Sequence, residues 1–511
     1  MCGACRTTRP SRSRRRPRKL KVLADTAPQA PRRVIPIAPS PDKSPIAPPA
    51  DADAETVWLY EAHKKIYPRS VSGFFSNWRW AMVFLTQLVF YGLPWLEWGQ
   101  RQAVLFDLGA RRFYIFGLVL YPQDFIYLTG ILVISALSLF LFTAVAGRLW
   151  CGYACPQTVY TEMFLWLEKK TEGDRSARMR RDAGPWTADR MFRAASKHFL
   201  WLALAGWTGF TFVGYFTPIH ELAAEFVQRR MGSWEVFWSV FYGLATYGNA
   251  GFMREQVCIH MCPYARFQSA MFDKDTLIVT YDEERGEPRG ARSRKADLLT
   301  LDLGACVNCS LCVQVCPTGI DIREGLQYEC IGCGACADVC DGVMDKMGYA
   351  PGLIKYSTQN AVSQHWTKGQ TLRHVLRPRI LIYTAILGTV VLATVLSLAM
   401  RTPFKVDVVR DRGVLARMVE AGRIENVYRL QIMNATEATQ DFGIAVEGLP
   451  GLAVVSDTTT RIESTQSRWV AVRVQAPPDA AKPGSHTIYF TVTGEGAVGR
   501  VVEKSVFIIP R

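Results

Sequence analysis

The chain has 511 residues, 49% of them apolar, with a formal net charge of +15 and a mean hydropathy of +0.04. It is too long and too apolar to read as one water-soluble domain; a membrane portion joined to soluble portions fits better. The excess of Lys and Arg lies largely in the first 79 residues and one later loop, so no nucleic acid is expected as a partner.

Residues 1–55 hold the run RPSRSRRRPRKLK and the tract IPIAPSPDKSPIAPPA. That composition carries too little apolar surface to offset the entropy of ordering, so a disordered basic cytoplasmic arm is expected. It lacks the apolar core of a cleaved signal peptide. Cys2 and Cys5 lie in this arm without further ligands nearby and read as chance.

Five apolar runs follow, near Trp80 to Leu96, Phe125 to Gly147, His198 to Thr217, Trp234 to Gly251 and Ile380 to Met400. Each approaches the ~17–25 residues that cross a bilayer. The first four make a membrane region over residues 56–272, and residues 371–402 hold the fifth span. Residues 1–79 contain 16 Lys and Arg and residues 148–197 contain 10, against three in 98–124 and two in 218–233. The basic segments therefore face the cytoplasm, and an odd number of spans sends residues 401–511 to the opposite side. The expected location is a bacterial inner membrane, with the lipid bilayer as a partner and a periplasmic C-terminal domain.

The 14 cysteines are clustered, which points to metal ligation in a reducing compartment rather than to disulfides. Cys151-Gly-Tyr-Ala-Cys155-Pro156 closes the second run and Cys258-Ile-His-Met-Cys262-Pro263 the fourth. An i, i+4 pair shares one helical face, so two such helices are expected to present four thiolates to one soft ion, with copper(I) favoured. His260 and Met261 are additional donors nearby. The bland alternative is that these cysteines only pack and the prolines only end helices.

Residues 273–370 carry the strongest signal. Cys306-x2-Cys309-x2-Cys312-x3-Cys316-Pro317 and Cys330-x2-Cys333-x2-Cys336-x3-Cys340 repeat one spacing. It is the spacing of a bacterial two-cluster ferredoxin, in which the remote fourth cysteine of each run serves the other cluster. The expected ligand sets for two [4Fe-4S] clusters are Cys306, Cys309, Cys312 and Cys340 for one, and Cys330, Cys333, Cys336 and Cys316 for the other. Residues 403–511 alternate apolar with polar, as in Tyr428-Arg429-Leu430-Gln431-Ile432, and about seven such runs suit an all-β immunoglobulin-like sandwich without a disulfide. The expected fold class is thus a multi-domain membrane protein, an α-helical bundle of five spans with an inserted α+β ferredoxin-like module and a C-terminal sandwich.

The stretches KKIYPRSVSGFFSNWRW, GRLWCGYACPQTVYTEMFLWLEKK, EQVCIHMCPYARFQSAMFDKDTLIVTYDEERGEPRG and CDGVMDKMGYAPGLIKY, with the two ferredoxin runs, resemble the CcoG/FixG/RdxA family. The resemblance implies a role in assembly of cbb3-type cytochrome oxidase through reduction of copper(II) to copper(I). Cys151, Cys155, Cys258 and Cys262 are then the copper and catalytic residues. Implied partners are oxidase subunits or assembly factors, a copper chaperone or transporter, and a cytoplasmic electron donor. A quinol dehydrogenase subunit of the NapH type and a non-enzymatic assembly scaffold are the rival functions.

Overall fold

The computed structural model describes residues 65–294, 302–411, 416–494 and 499–510. The expected arm, with Cys2 and Cys5, lies outside them. Every apolar run is helical, with shifted ends: α1 (Phe74–Gly92), α2 (Phe125–Ala146), then, after the short α3 (Leu149–Tyr153) and α4 (Pro156–Glu172), α5 (Ala188–Val213), α6 (Ser233–Gly248) and, far downstream, a last helix over Pro378–Ala399. The start of α1 draws Arg79 inside a helix, where it is buried but paired with Glu162 of α4 at 2.9 Å. A buried guanidinium is tolerable only with such a partner. Helix α6 gains length from a π-turn over Asn249–Met253.

Among the described residues two helices are long and apolar enough to cross a membrane by length and composition, Pro122–Ala146 and Pro378–Ala399, with mean hydropathies of 2.4 and 2.2. The other three also turn large apolar side chains outward, among them Phe84, Leu88, Phe199, Leu202, Phe241 and Leu244.

The cysteine-rich module is closed by an antiparallel pair of strands, Ile278–Tyr281 and Ile354–Ser357, which brings its two ends together. It is fastened to the bundle at α1. Asp338 of the module accepts hydrogen bonds from the backbone N–H groups of Phe75 (3.1 Å) and Ser76 (2.7 Å), capping the free donors at the start of that helix.

The C-terminal region is a two-sheet sandwich. One sheet has the order Ala453–Val454, Ser467–Ala476, Ile424–Asn434, Phe404–Arg410, and the other Thr459–Ile462, Gln440–Glu447, Gly484–Gly494, Arg500–Ile509, every pairing antiparallel. The alternation read from the sequence points inward as expected: Tyr428, Leu430 and Ile432 meet Phe490 and Val492 in a dry core, and Arg429 faces out.

The sandwich is seated on the loop between α1 and α2, a small sheet of strands Val104–Asp107, Arg112–Ile115 and Leu118–Leu120. Leu105, Tyr114, Val119 and Tyr121 pack on Met433 and Ala435, and the Tyr121 hydroxyl lies 3.0 Å from the carbonyls of Asn434 and Thr465. Beneath this contact Asp124 is buried 3.5 Å from Arg401 and 3.4 Å from Lys405. Asp124→Ala leaves these cations without their carboxylate and is expected to cost about 3–5 kcal/mol, measured as a lower unfolding midpoint with faster proteolysis between the last helix and the sandwich.

Candidate functional site

The two cysteine loops share one backbone course. In Cys306–Cys312 the residues with positive φ are Asn308 (52°) and Ser310 (54°); in Cys330–Cys336 they are Gly332 (63°) and Gly334 (73°). Left-handed turns at the same two places curl each loop around its own centre. A helix then leads away from each loop, Leu311–Val315 and Ala335–Met347.

Each loop forms the wall of a cavity. The first, about 360 Å³ including its open side, is lined by Cys306, Cys309, Cys312 and Cys340, with Tyr281, Leu353 and Ile354 as apolar backing. The second, about 350 Å³ including its open side, is lined by Cys316, Cys330, Cys333 and Cys336, with Val279 and Ile331, and Cys312 on the shared side. So the fourth cysteine of each run lines the cavity of the other loop. Burial pushes the Cys312 thiol up to about 11 and those of Cys330 and Cys340 up to about 12, with neighbouring thiols adding to the rise in the latter two. Such thiols stay neutral until a cation compensates the lost hydration of their thiolates. Two sulfur-lined, apolar-backed chambers of nearly equal size fit [4Fe-4S] clusters. Cys309 is the exposed member of the eight, so the first cavity has a side to the solvent.

The second cavity faces the first C-x3-C-P motif. Gly152, between Cys151 and Cys155, approaches the ferredoxin loop so closely that an added Cβ would stand 2.9 Å from the carbonyl oxygens of Ile331 and Gly332 and 3.0 Å from Cα of Cys333. The Tyr153 hydroxyl donates to the Cys333 carbonyl at 3.2 Å. Arg148, buried, donates to the carbonyl of Tyr328 on the ferredoxin side and, at 2.6 Å, to that of Ala265 in the helix Pro263–Met271 that follows the second motif. One guanidinium therefore joins both membrane motifs to the second loop.

The four membrane cysteines do gather, but not as two pairs on helical faces. Cys151 lies in α3, whereas Cys155 and Cys262 have extended backbone (ψ 128° and 109°) and stand just before new helices; Cys258 lies in a π-turn, Val257–Met261. Pro156 and Pro263 explain the break, because proline excludes the preceding residue from helical conformation and favours the first turn of the next helix. The thiols are close enough that each of Cys151, Cys155 and Cys258 is disfavoured as thiolate by charge on its neighbours, after the larger effect of burial. The fully buried Gln268 amide stands 3.5 Å from Cys151 Sγ. His260 and Met261 are exposed. Among the described residues no three His, Cys, Asp or Glu side chains converge closely enough to hold one ion.

Gly152, Arg148, Gln268 and Asp338 are the site residues that sequence reasoning missed. Gly152 and Asp338 carried a local signal, each lying inside a cysteine motif.

Comparison with known proteins places this architecture. Residues 128–172 match the "4Fe-4S binding domain" family, 253–359 the "4Fe-4S dicluster domain", and 394–510 the "IG-like fold at C-terminal of FixG". The nitrogen fixation protein FixG of Rhizobium meliloti is 38% identical over 436 residues, 78% of this chain and 83% of FixG. The chain belongs to the CcoG/FixG/RdxA family. Two family members of Cereibacter sphaeroides extend the likeness: RdxB is 40% identical over 79% of this chain and 86% of its own, and RdxA 38% over 77% and 84%. As a member of this family the protein is an iron-sulfur electron-transfer protein. Both C-x3-C-P motifs fall inside the matched iron-sulfur regions.

Gly152→Val fills the closest approach between motif and module. An overpacked contact of this kind costs about 1–3 kcal/mol. Iron content and the electron paramagnetic resonance of one cluster are expected to change, with the other left as in the parent.

Proposed function

We propose that the protein is a multi-pass membrane electron carrier that reduces copper(II) to copper(I) for assembly of a cbb3-type cytochrome oxidase. The observation that carries the route is the approach of Gly152, between two thiols of the membrane group, to the loop that lines the second cavity. Cys306, Cys309, Cys312 and Cys340 would hold one [4Fe-4S] cluster and Cys316, Cys330, Cys333 and Cys336 the other. When bound, these clusters supply single electrons, one for each copper(II) reduced.

The chain's own residues do the rest. Exposure of Cys309 offers the first set to a cytoplasmic donor, and burial of Cys333 keeps the second against the bundle. Copper(II) is the substrate; Cys151, Cys155, Cys258 and Cys262 would close on it from their present spacing, and soft sulfur favours the copper(I) product. Burial holds the thiol of Cys151 up to about 11 and that of Cys258 up to about 12, so both are protonated at neutral pH and copper(I) must displace their protons. Apparent copper(I) affinity is expected to rise about tenfold per pH unit for each proton released, between pH 7 and 9. The Cys151→Ser/Cys155→Ser variant is expected to lose copper(I) retention with both clusters spectroscopically intact; retention at the parent level would make these cysteines packing residues.

One observation favours a second reading. Both C-x3-C-P motifs lie in regions matched to iron-sulfur families. Four such cysteines suit a third cluster as well as copper. Iron analysis separates the two: about eight irons per chain for the copper reading, about twelve for the other.

Five helices with outward apolar side chains support five spans, with the module inside and the sandwich outside. Reporter fusions after Lys274 and after Arg511 are expected to report opposite sides; matching signals would require an even number of spans.

A further inference from the structure

Beside the second cluster cavity lies a cleft that the electron route leaves unused. It encloses about 760 Å³ including its open mouth and is formed by the segment Pro68–Val71, α1, α4 and the module residues Val315, Pro317, Cys333 and Ala335. Its lining holds four cations, Arg69, Arg79, Lys169 and Arg178, against two carboxylates, Glu162 and Asp174.

Part of this charge is already matched. Arg79 pairs with Glu162 at 2.9 Å, and Arg178 binds Glu168 at 2.8 Å and the Pro68 carbonyl at 2.6 Å. The Asp174 carboxylate accepts from the Ser70 N–H at 3.1 Å. The side chains of Arg69 and Lys169, exposed at the rim, make no hydrogen bond or ion pair among the described residues. Deeper in the cleft Arg79 is 7% exposed, and its Nε has no acceptor. The cleft thus carries more positive than negative charge, and the unmatched cations are those at its rim.

Two indoles also line the cleft. Trp80 and Trp166 meet edge to face, with ring centres 6.4 Å apart, and Trp80 leads by helical spacing to Phe84 and Leu88, 69% and 73% exposed. Indoles at the end of an outward apolar stripe mark the level of lipid headgroups.

We infer that this cleft binds the headgroup of an anionic phospholipid, its phosphate between Arg69 and Lys169 and an acyl chain along Trp80, Phe84 and Leu88. One lipid there ties α1 and α4 to the wall of the second cluster cavity. The inference rests on the membrane reading above. That reading fails separately, if the full chain proves soluble without detergent.

The test is native mass spectrometry of the full-length protein purified in detergent and exchanged with phosphatidylglycerol or phosphatidylcholine. One phosphatidylglycerol per chain is expected to be retained, preferred about thirtyfold, as two basic side chains at an anionic surface provide. Arg69→Gln/Lys169→Gln is expected to remove the preference with iron content unchanged, and Trp166→Ala to weaken retention of both lipids. Equal retention of phosphatidylcholine, a preference that survives the double variant, displacement by millimolar inorganic phosphate, or a co-purified quinone in place of the lipid would each overturn the assignment.

Discussion

The arrangement depends on one buried guanidinium. Arg148 lies just past the end of α2, where it donates to the carbonyl of Tyr328 ahead of the second cysteine loop and to that of Ala265 behind the second membrane motif. Both acceptors are backbone, so the contact fixes chain paths rather than side-chain choices. Without it two carbonyls and one module would lose their shared anchor, at a cost of about 1–3 kcal/mol for the buried Ala265 carbonyl alone. Gly152 then allows the approach that Arg148 aligns, since any side chain there meets the backbone of the loop. Asp338 adds a second anchor at the start of α1. The cysteine-rich module is thereby a wall of the helical bundle, not an attachment on a tether.

Burial governs the chemistry on both sides of that wall. In the cavities and in the membrane group alike, loss of hydration holds thiols in their neutral form. A thiol that ionises only when metal arrives couples metal binding to proton release and resists oxidation in its absence. Cys309 differs by its exposure, which places the solvent-facing side of the module away from the bundle contact.

The parts legible in the sequence were those encoded by local period. The repeated C-x2-C-x2-C-x3-C spacing is such a pattern, and both cavities hold the cysteines it singles out. Alternation in the last ~110 residues did the same for the sandwich, down to which of Tyr428, Arg429 and Leu430 faces in. What failed was the reading of the C-x3-C-P motifs as continuous helix. The information was present in Pro156 and Pro263, whose effect on the preceding residue outweighs the i, i+4 spacing. Long-range contacts had no local signal at all: Arg79 with Glu162, Asp124 with Arg401, and the seating of Met433 on Tyr121 join segments far apart in sequence.

The central claim is that electrons leave the module at the second loop and reach copper at the membrane thiols. The direct measurement is an anaerobic stopped-flow titration of the reduced protein with copper(II), following cluster absorbance and the copper(II) paramagnetic signal together. The account predicts that each copper(II) consumed is matched by one reoxidised cluster, and that the step slows when Cys151 and Cys155 are replaced by Ser. Copper(II) that binds while the clusters stay reduced, or reoxidation equally fast without those thiols, would contradict it.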